Sequence, residues 1–174
     1  MKAVFLDRDG TVNLGTPPYE RIDNLEKVEL LPKTFKALSL LASLDYGVFL
    51  ISNQPCIAEG FIALDEAEVI NDKVLELIDP SGVRIIKSYT CPHGKDNTCE
   101  CRKPKPKMLL DAAQEYDIDL TSSYMVGDRL TDILTGINAG TNTILVQTGS
   151  VMEAPEATFV AADLLEAVQY IAIH

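Results

Sequence analysis

The chain has 174 residues, 47% of them hydrophobic, with 10 Gly and 9 Pro, enough for one domain over 1–174 that buries about two-thirds of its unfolded surface without staples. A net charge of −11 argues against a general affinity for nucleic acid or anionic membrane. No apolar run reaches the roughly 20 residues of a bilayer span, the N-terminus reads as a strand rather than a signal peptide, and the four cysteines carry no mark of secretion. The expected setting is the cytoplasm, with a monomer as the default state.

The first predicted element is a strand over 2–7, in which Val4, Phe5 and Leu6 run into Asp7-Arg8-Asp9-Gly10-Thr11. Residues two apart in extended backbone point to the same side, which brings the carboxylates of Asp7 and Asp9 together, and Gly10 lets the chain turn away. Acids held that close call for a divalent cation between them or a retained proton, the equipment of a metal-assisted nucleophile paired with an acid/base. The plain alternative is a capping Asp in an Asp-Gly turn. Pro17-Pro18 marks a loop, and a helix follows over 31–44. A second strand, 47–52, ends in Ser52-Asn53-Gln54; next come a helix over 64–78, a turn at Asp79-Pro80-Ser81-Gly82 and a strand over 82–89. A helix over 105–116 precedes a strand over 123–127 that ends in Gly127-Asp128, with Asp132 four residues on. A helix over 130–139, a strand over 142–147 and a helix over 161–171 complete the chain.

Strand alternating with helix predicts an α/β, Rossmann-like fold: a central parallel sheet with helices on both faces. The strands are continuous apolar runs, as burial on both sides requires. Ligands of such sheets bind beyond the carboxyl ends of the strands, where Asp7, Ser52 and Asp128 close three separate strands. That convergence favours a site over chance turns.

Cys91, His93, Cys99 and Cys101 form C-x-H-x5-C-x-C. Three thiolates and an imidazole suit tetrahedral zinc, and four protein ligands leave no open position, so the ion is expected to be structural. A disulfide or reduced surface thiols are the alternatives. Lys103 follows the last ligand by two residues, so zinc would position this cation from behind. Cys56 lies outside the cluster as a spare thiol, and His174 is the last residue of the sequence.

Phe5-Leu6-Asp7-Arg8-Asp9-Gly10-Thr11, Ile51-Ser52-Asn53-Gln54, Arg102-Lys103-Pro104 and Val126-Gly127-Asp128-Arg129-Leu130-Thr131-Asp132 resemble, in order, the four motifs of the haloacid dehalogenase (HAD) superfamily. The resemblance implies that Asp7 is a nucleophile forming an aspartyl phosphate and Asp9 the general acid and then base. It implies phosphate binding by Ser52, Asn53, Arg102 and Lys103, and Mg2+ held by Asp7, the Asp9 backbone carbonyl and Asp128, with Asp132 in support. The bland readings are a strand-ending turn at Ser52-Asn53, a solvated cation at Lys103 and a helix cap at Asp128. Arg8 and Arg129 read as structural ion-pair or surface residues.

The intervals 12–46 and 55–88 leave no room for an inserted cap domain, so the expected protein is capless, with the zinc loop 91–101 as the one candidate for a partial lid. A capless chain with such a loop resembles the branch containing heptose bisphosphate and histidinol-phosphate phosphatases. Glu20-Arg21-Ile22-Asp23-Asn24-Leu25, Ile57-Ala58-Glu59-Gly60, Ser123-Tyr124-Met125-Val126-Gly127-Asp128 and Leu145-Val146-Gln147-Thr148-Gly149 lean to the heptose enzymes. Pro55-Cys56 and Glu59 depart from the Ser-Gly-Ile-Ala-Arg-Gly of that branch, and Lys107 and the five-residue zinc spacing lean to the histidinol-phosphate side. The expected substrate is a small phosphorylated metabolite, a heptose bisphosphate first and histidinol phosphate second. A phospho-receiver is disfavoured because the strand entering Tyr89-Thr90-Cys91 supplies no acid, and a dead-site binding protein is disfavoured by the intact Asp7, Asp9, Ser52, Lys103 and Asp128.

Overall fold

The computed structural model describes residues 1–15, 22–95, 98–149 and 151–174. The Pro17-Pro18 loop, Glu20-Arg21 and two positions of the zinc loop, 96 and 97, lie outside the described residues. Strand β1 (Ala3–Asp7) is buried along its whole length, and its alternation divides the core. Val4 and Leu6 face Ala37, Leu38 and Leu41 of α1 (Thr34–Leu41), Ile70 and Val74 of α3 (Leu64–Ile78) and Val168 of α6 (Leu164–Ile173). Ala3 and Phe5 join the opposite cluster, with Phe49, Ile51 and Met125 of the sheet and Met108, Leu109 and Ala112 of α4 (Lys107–Tyr116). Phe5 stacks on Phe49 with ring centroids 5.4 Å apart.

Among the described residues the sheet has six strands in the order β3-β2-β1-β4-β5-β6, all parallel. Here β2 is Gly47–Asn53, β3 Ile85–Cys91, β4 Tyr124–Gly127, β5 Asn142–Val146 and β6 Phe159–Ala161. The chain winds outward in one direction through β2 and β3, then returns to the other side of β1 through β4. The switch point lies between β1 and β4, the place at which ligands of open parallel sheets generally bind. Asp7 ends one of these strands and Asp128 follows the other. The short α2 (Pro55–Ala58) and α3 follow β2, and α5 (Leu130–Ala139) follows β4. No helix is long and apolar enough to cross a membrane among the described residues.

The predicted helices over 64–78 and 130–139 are present with those bounds. The helix predicted from residue 31 begins at Thr34, because Lys33 has a left-handed backbone (φ 67°). Ala161, predicted as the first residue of the last helix, instead ends β6. The strand predicted over 82–89 is displaced to Ile85–Cys91, which puts the first thiol of the Cys/His cluster on the sheet itself.

Candidate active site

The backbone at the end of β1 fixes the first acid. Asp7 Oδ1 accepts from Arg8 N at 2.8 Å and from Lys103 Nζ at 2.6 Å. Lys103 is 4% exposed, donates also to Ile51 O at 3.1 Å, and stands 2.6 Å from Asp132 Oδ1 as an ion pair. Burial alone would lower the Lys103 pKa, but Asp132 and Asp7 hold it above its ordinary range. Asp132 in turn accepts from Arg129 N at 3.0 Å, so one carboxylate caps its own helix and anchors the ammonium. The cap position of α5 is therefore Arg129, served by Asp132, and Asp128 does not cap the helix.

Asp7, Asp128 and Asp132 each offer an oxygen, all within 4.8 Å of one another, and all three are buried. Asp128 Oδ1 is buried with no hydrogen-bond partner in the structure. Burial, with Asp7 and Asp132 alongside, pushes the Asp128 carboxyl up to about 8. Burial and Asp7 raise Asp132 to about 6 against the pull of Lys103. An orphaned carboxylate oxygen in an all-oxygen, net-negative cluster is the donor set of a hard divalent cation, so these residues fit magnesium. The space is kept by glycine: a Cβ on Gly10, whose φ is 95°, would stand 2.5 Å from Asp128 Oδ2, and one on Gly149 would fall on the same oxygen. Thr148 Oγ1 donates to Gly10 O at 2.5 Å, tying the exit of β5 to the Asp7–Gly10 turn.

Asp9 lies two residues beyond Asp7, the last residue of β1. Alternation holds only while the backbone is extended, and β1 ends at Asp7; the Arg8 carbonyl then accepts from Thr11, Val12 and Asn13 as the chain turns. The Asp9 carboxylate is answered by Arg8 (Nε to Oδ1 3.0 Å, Nη2 to Oδ2 2.9 Å), Asn13 Nδ2 at 2.9 Å and Gln54 Nε2 at 2.7 Å. Burial would raise its pKa, but the Arg8 charge and these hydrogen bonds outweigh it and leave the carboxyl below its ordinary value. The acids whose oxygens gather with that of Asp7 are Asp128 and Asp132. Arg8 is an ion-pair residue, 1% exposed, and Arg129 lies on the surface, 59% exposed at its side chain, with Nε 3.9 Å from Asp128 Oδ2.

The remaining sequence candidates divide by what they touch. Ser52 is buried at the end of β2, where its Oγ accepts from Gln54 Nε2 at 2.6 Å. Asn53 grips the main chain of Lys103 from both sides: its Oδ1 accepts from Lys103 N at 3.1 Å and its Nδ2 donates to Lys103 O at 3.3 Å. Its amide is thus spent on placing the lysine. Arg102 Nη1 donates to His93 O at 2.8 Å, bracing the Cys/His loop.

In that loop Cys91 Sγ lies 3.6 Å from His93 Nδ1, 3.7 Å from Cys99 Sγ and 3.2 Å from Cys101 Sγ, and Cys101 Sγ lies 3.4 Å from His93 Nδ1. A tetrahedron with Zn–S near 2.3 Å has edges of about 3.8 Å, so the four atoms need to spread only slightly. All four cysteines of the chain are free thiols in the structure. Burial pushes the Cys91 thiol up to about 12, a proton that metal binding would displace.

Sequence reasoning passed over Gln54, Asn13, Thr148 and Gly149. Gln54 follows Ser52-Asn53 at a strand end and could have been flagged by position. Thr148 and Gly149 stand in the Leu145–Gly149 segment that resembles the heptose enzymes, but their contacts with Gly10 and Asp128 depend on the fold, and Asn13 meets Asp9 across a turn.

A HAD-hydrolase-like family model matches residues 100–167. The chain is 33% identical over 171 residues to the D-glycero-beta-D-manno-heptose-1,7-bisphosphate 7-phosphatase of Helicobacter pylori strain J99, covering 98% of this chain and 97% of that one. It is 34% identical over 145 residues to the D-glycero-alpha-D-manno-heptose-1,7-bisphosphate 7-phosphatase of Campylobacter jejuni, covering 83% and 81%. The crystal structure of the D,D-heptose 1,7-bisphosphate phosphatase of Bordetella bronchiseptica, complexed with magnesium and phosphate, superposes with a TM-score of 0.92 at 34% identity over 99% of both chains. The chain belongs to the HAD-like hydrolases, in the family of the heptose-1,7-bisphosphate 7-phosphatases.

Proposed function

We propose that the chain is a magnesium-dependent phosphomonoesterase that removes the 7-phosphate of D-glycero-D-manno-heptose 1,7-bisphosphate. The observation that carries this reading is a buried Lys103–Asp7 pair at 2.6 Å at the end of β1, in a chain that matches named 7-phosphatases over almost its whole length. Asp7 is the nucleophile: its carboxylate attacks phosphorus, the bond to the sugar oxygen breaks, and Lys103 offsets the charge on nucleophile and phosphoryl group. Asp9 gives the departing alkoxide its proton, then takes one from the water that opens the aspartyl phosphate. Arg8, Asn13 and Gln54 hold Asp9 in the ionised form the second step uses; service as an acid requires release from the Arg8 pair. The Ser52 hydroxyl donates to a phosphoryl oxygen, and Arg102 stands beside Lys103 at the same rim.

Asp7, Asp128 and the Asp9 backbone carbonyl would hold a magnesium ion, which when bound supplies charge neutralisation at the nucleophile and the phosphoryl oxygens. We assign Cys91, His93, Cys99 and Cys101 to a structural zinc that stiffens the segment leading into Lys103. The reading further takes the chain as a single capless domain, monomeric and cytoplasmic.

The runner-up substrate is histidinol phosphate, on the five-residue separation of His93 and Cys99. Lys107, the other residue in its favour, spends its ammonium on Asp111 of its own helix at 2.8 Å, and Glu59 ends α2 with an exposed side chain. Phosphate release with magnesium, measured side by side on the two substrates as kcat/KM, decides between them. Asp7→Asn is expected to abolish turnover with the fold intact; retained turnover would sink the mechanism.

A further inference from the structure

One buried side chain stands between the phosphate-binding hydroxyl and the acid/base. Gln54 is 4% exposed; its Nε2 donates to Asp9 Oδ2 at 2.7 Å and to Ser52 Oγ at 2.6 Å. The thiol of Cys56 donates to its Oε1 at 3.6 Å, so the residue expected to be a spare thiol satisfies the other end of the amide.

The amide has one consistent orientation. Asp9 Oδ2 already accepts from Arg8 Nη2, and Oδ1 accepts from Arg8 Nε and Asn13 Nδ2. An amide oxygen turned toward this carboxylate would set two acceptors face to face. The NH2 end therefore points to Asp9 with one hydrogen and to Ser52 with the other. A hydroxyl carries one hydrogen and two lone pairs. With Gln54 filling a lone pair of Ser52 Oγ, the Ser52 hydrogen is turned outward, and among the described residues no acceptor receives it.

We infer that Gln54 is a positioning residue for the reaction proposed above: it polarises Ser52 as a hydrogen-bond donor toward the phosphoryl group and steadies the Asp9 carboxylate with the same amide. The inference rests on that reaction, and it names a residue whose two hydrogens serve two catalytic groups at once. A hydroxyl free to rotate would spend part of its time presenting a lone pair to an anionic oxygen, which repels it.

The test is a double-mutant cycle of Ser52→Ala and Gln54→Met, read as the inhibition constant of inorganic phosphate and as kcat on a phosphomonoester that the wild type hydrolyses, with magnesium present. Each single variant is expected to weaken phosphate inhibition by about tenfold. The double variant is expected to be no weaker than either single, because Gln54 acts on phosphate through Ser52. In kcat, Gln54→Met falls further than Ser52→Ala, since Asp9 also loses its partner. Multiplying inhibition factors, or a Gln54→Met variant with wild-type inhibition and kcat, overturns the inference. If circular dichroism shows Gln54→Met unfolded, Gln54→Glu keeps the shape and removes the amide hydrogens; tenfold weaker inhibition supports the inference, and wild-type values overturn it. An inactive wild type overturns the proposed function and this inference together, whereas an active wild type with an indifferent Gln54 overturns the inference alone.

Discussion

Replacing Lys103 by Met keeps the length of the side chain and deletes the cation that Asp7 and Asp132 share. At 2.6 Å from each carboxylate, and with an effective dielectric of about 20, Coulomb's law gives roughly 6 kcal/mol of attraction per contact. Desolvation of an ammonium that is only 4% exposed consumes much of that. Removing one partner of a buried pair costs about 3–5 kcal/mol, because the charges left behind are uncompensated. Here they are carboxylates beside Asp128, and they have a remedy in protonation. Without Lys103, Asp132 loses the cation that opposes its upward shift, so lowering the pH relieves the variant more than the wild type. Urea unfolding of both proteins, without divalent metal, is therefore expected to show a deficit of about 3 kcal/mol or more at pH 7.5 that shrinks markedly by pH 5.5. Turnover with magnesium is expected to fall by at least about a hundredfold, the scale of losing one preorganised charge at a transition state. A stability deficit that is the same at both pH values, or a variant with near-wild-type kcat, would refute the assignment of Lys103 as the cation common to Asp7 and Asp132.

Two further outcomes follow from the metal sites. In the metal-free protein Asp128 (about 8) and Asp132 (about 6) hold protons to higher pH than in the unfolded chain, where both titrate near 3.8. The folded state thus binds more protons between about pH 4 and pH 8, and stability falls as pH rises through that window; Asp9 and Asp163, whose values are lowered, lose their contributions only at more acid pH. Urea midpoints are expected to drop from pH 5 to pH 8 and to recover at pH 8 on adding magnesium, and a flat profile would count against the acid cluster. Stripping zinc with a chelator and restoring magnesium is expected to lower the melting temperature by roughly 5 °C or more and to reduce kcat, with zinc content followed by mass spectrometry. A zinc-free protein with unchanged melting temperature and rate would remove the cluster from the mechanism.

The parts of the molecule legible in the sequence are those whose signal is local. The helices over 64–78 and 130–139 carry a full amphipathic period, and the structure has them at those bounds. β1 and β2 announce themselves as unbroken apolar runs that stop at acids and hydroxyls. The Cys/His cluster is compact in sequence, so its closeness in space needed no fold. β6, three residues at the sheet edge, is too short to show a period, and its pairing of Ile144 with Phe159 and Val146 with Ala161 depends on where β5 lies. Gln54, Thr148 and Gly149 matter through contacts made after folding, some with groups more than a hundred residues away.

The two-sided grip of Asn53 on the main chain of Lys103 has a consequence for how the ammonium is placed. It copies the pairing of one strand residue with its neighbour, so the lysine is registered to the sheet as if it were an added rung. The main chain at Lys103 is thus held by the sheet edge as well as by the loop that precedes it. Loss of the Asn53 amide would leave the lysine held at its ammonium alone by Asp7, Asp132 and Ile51 O.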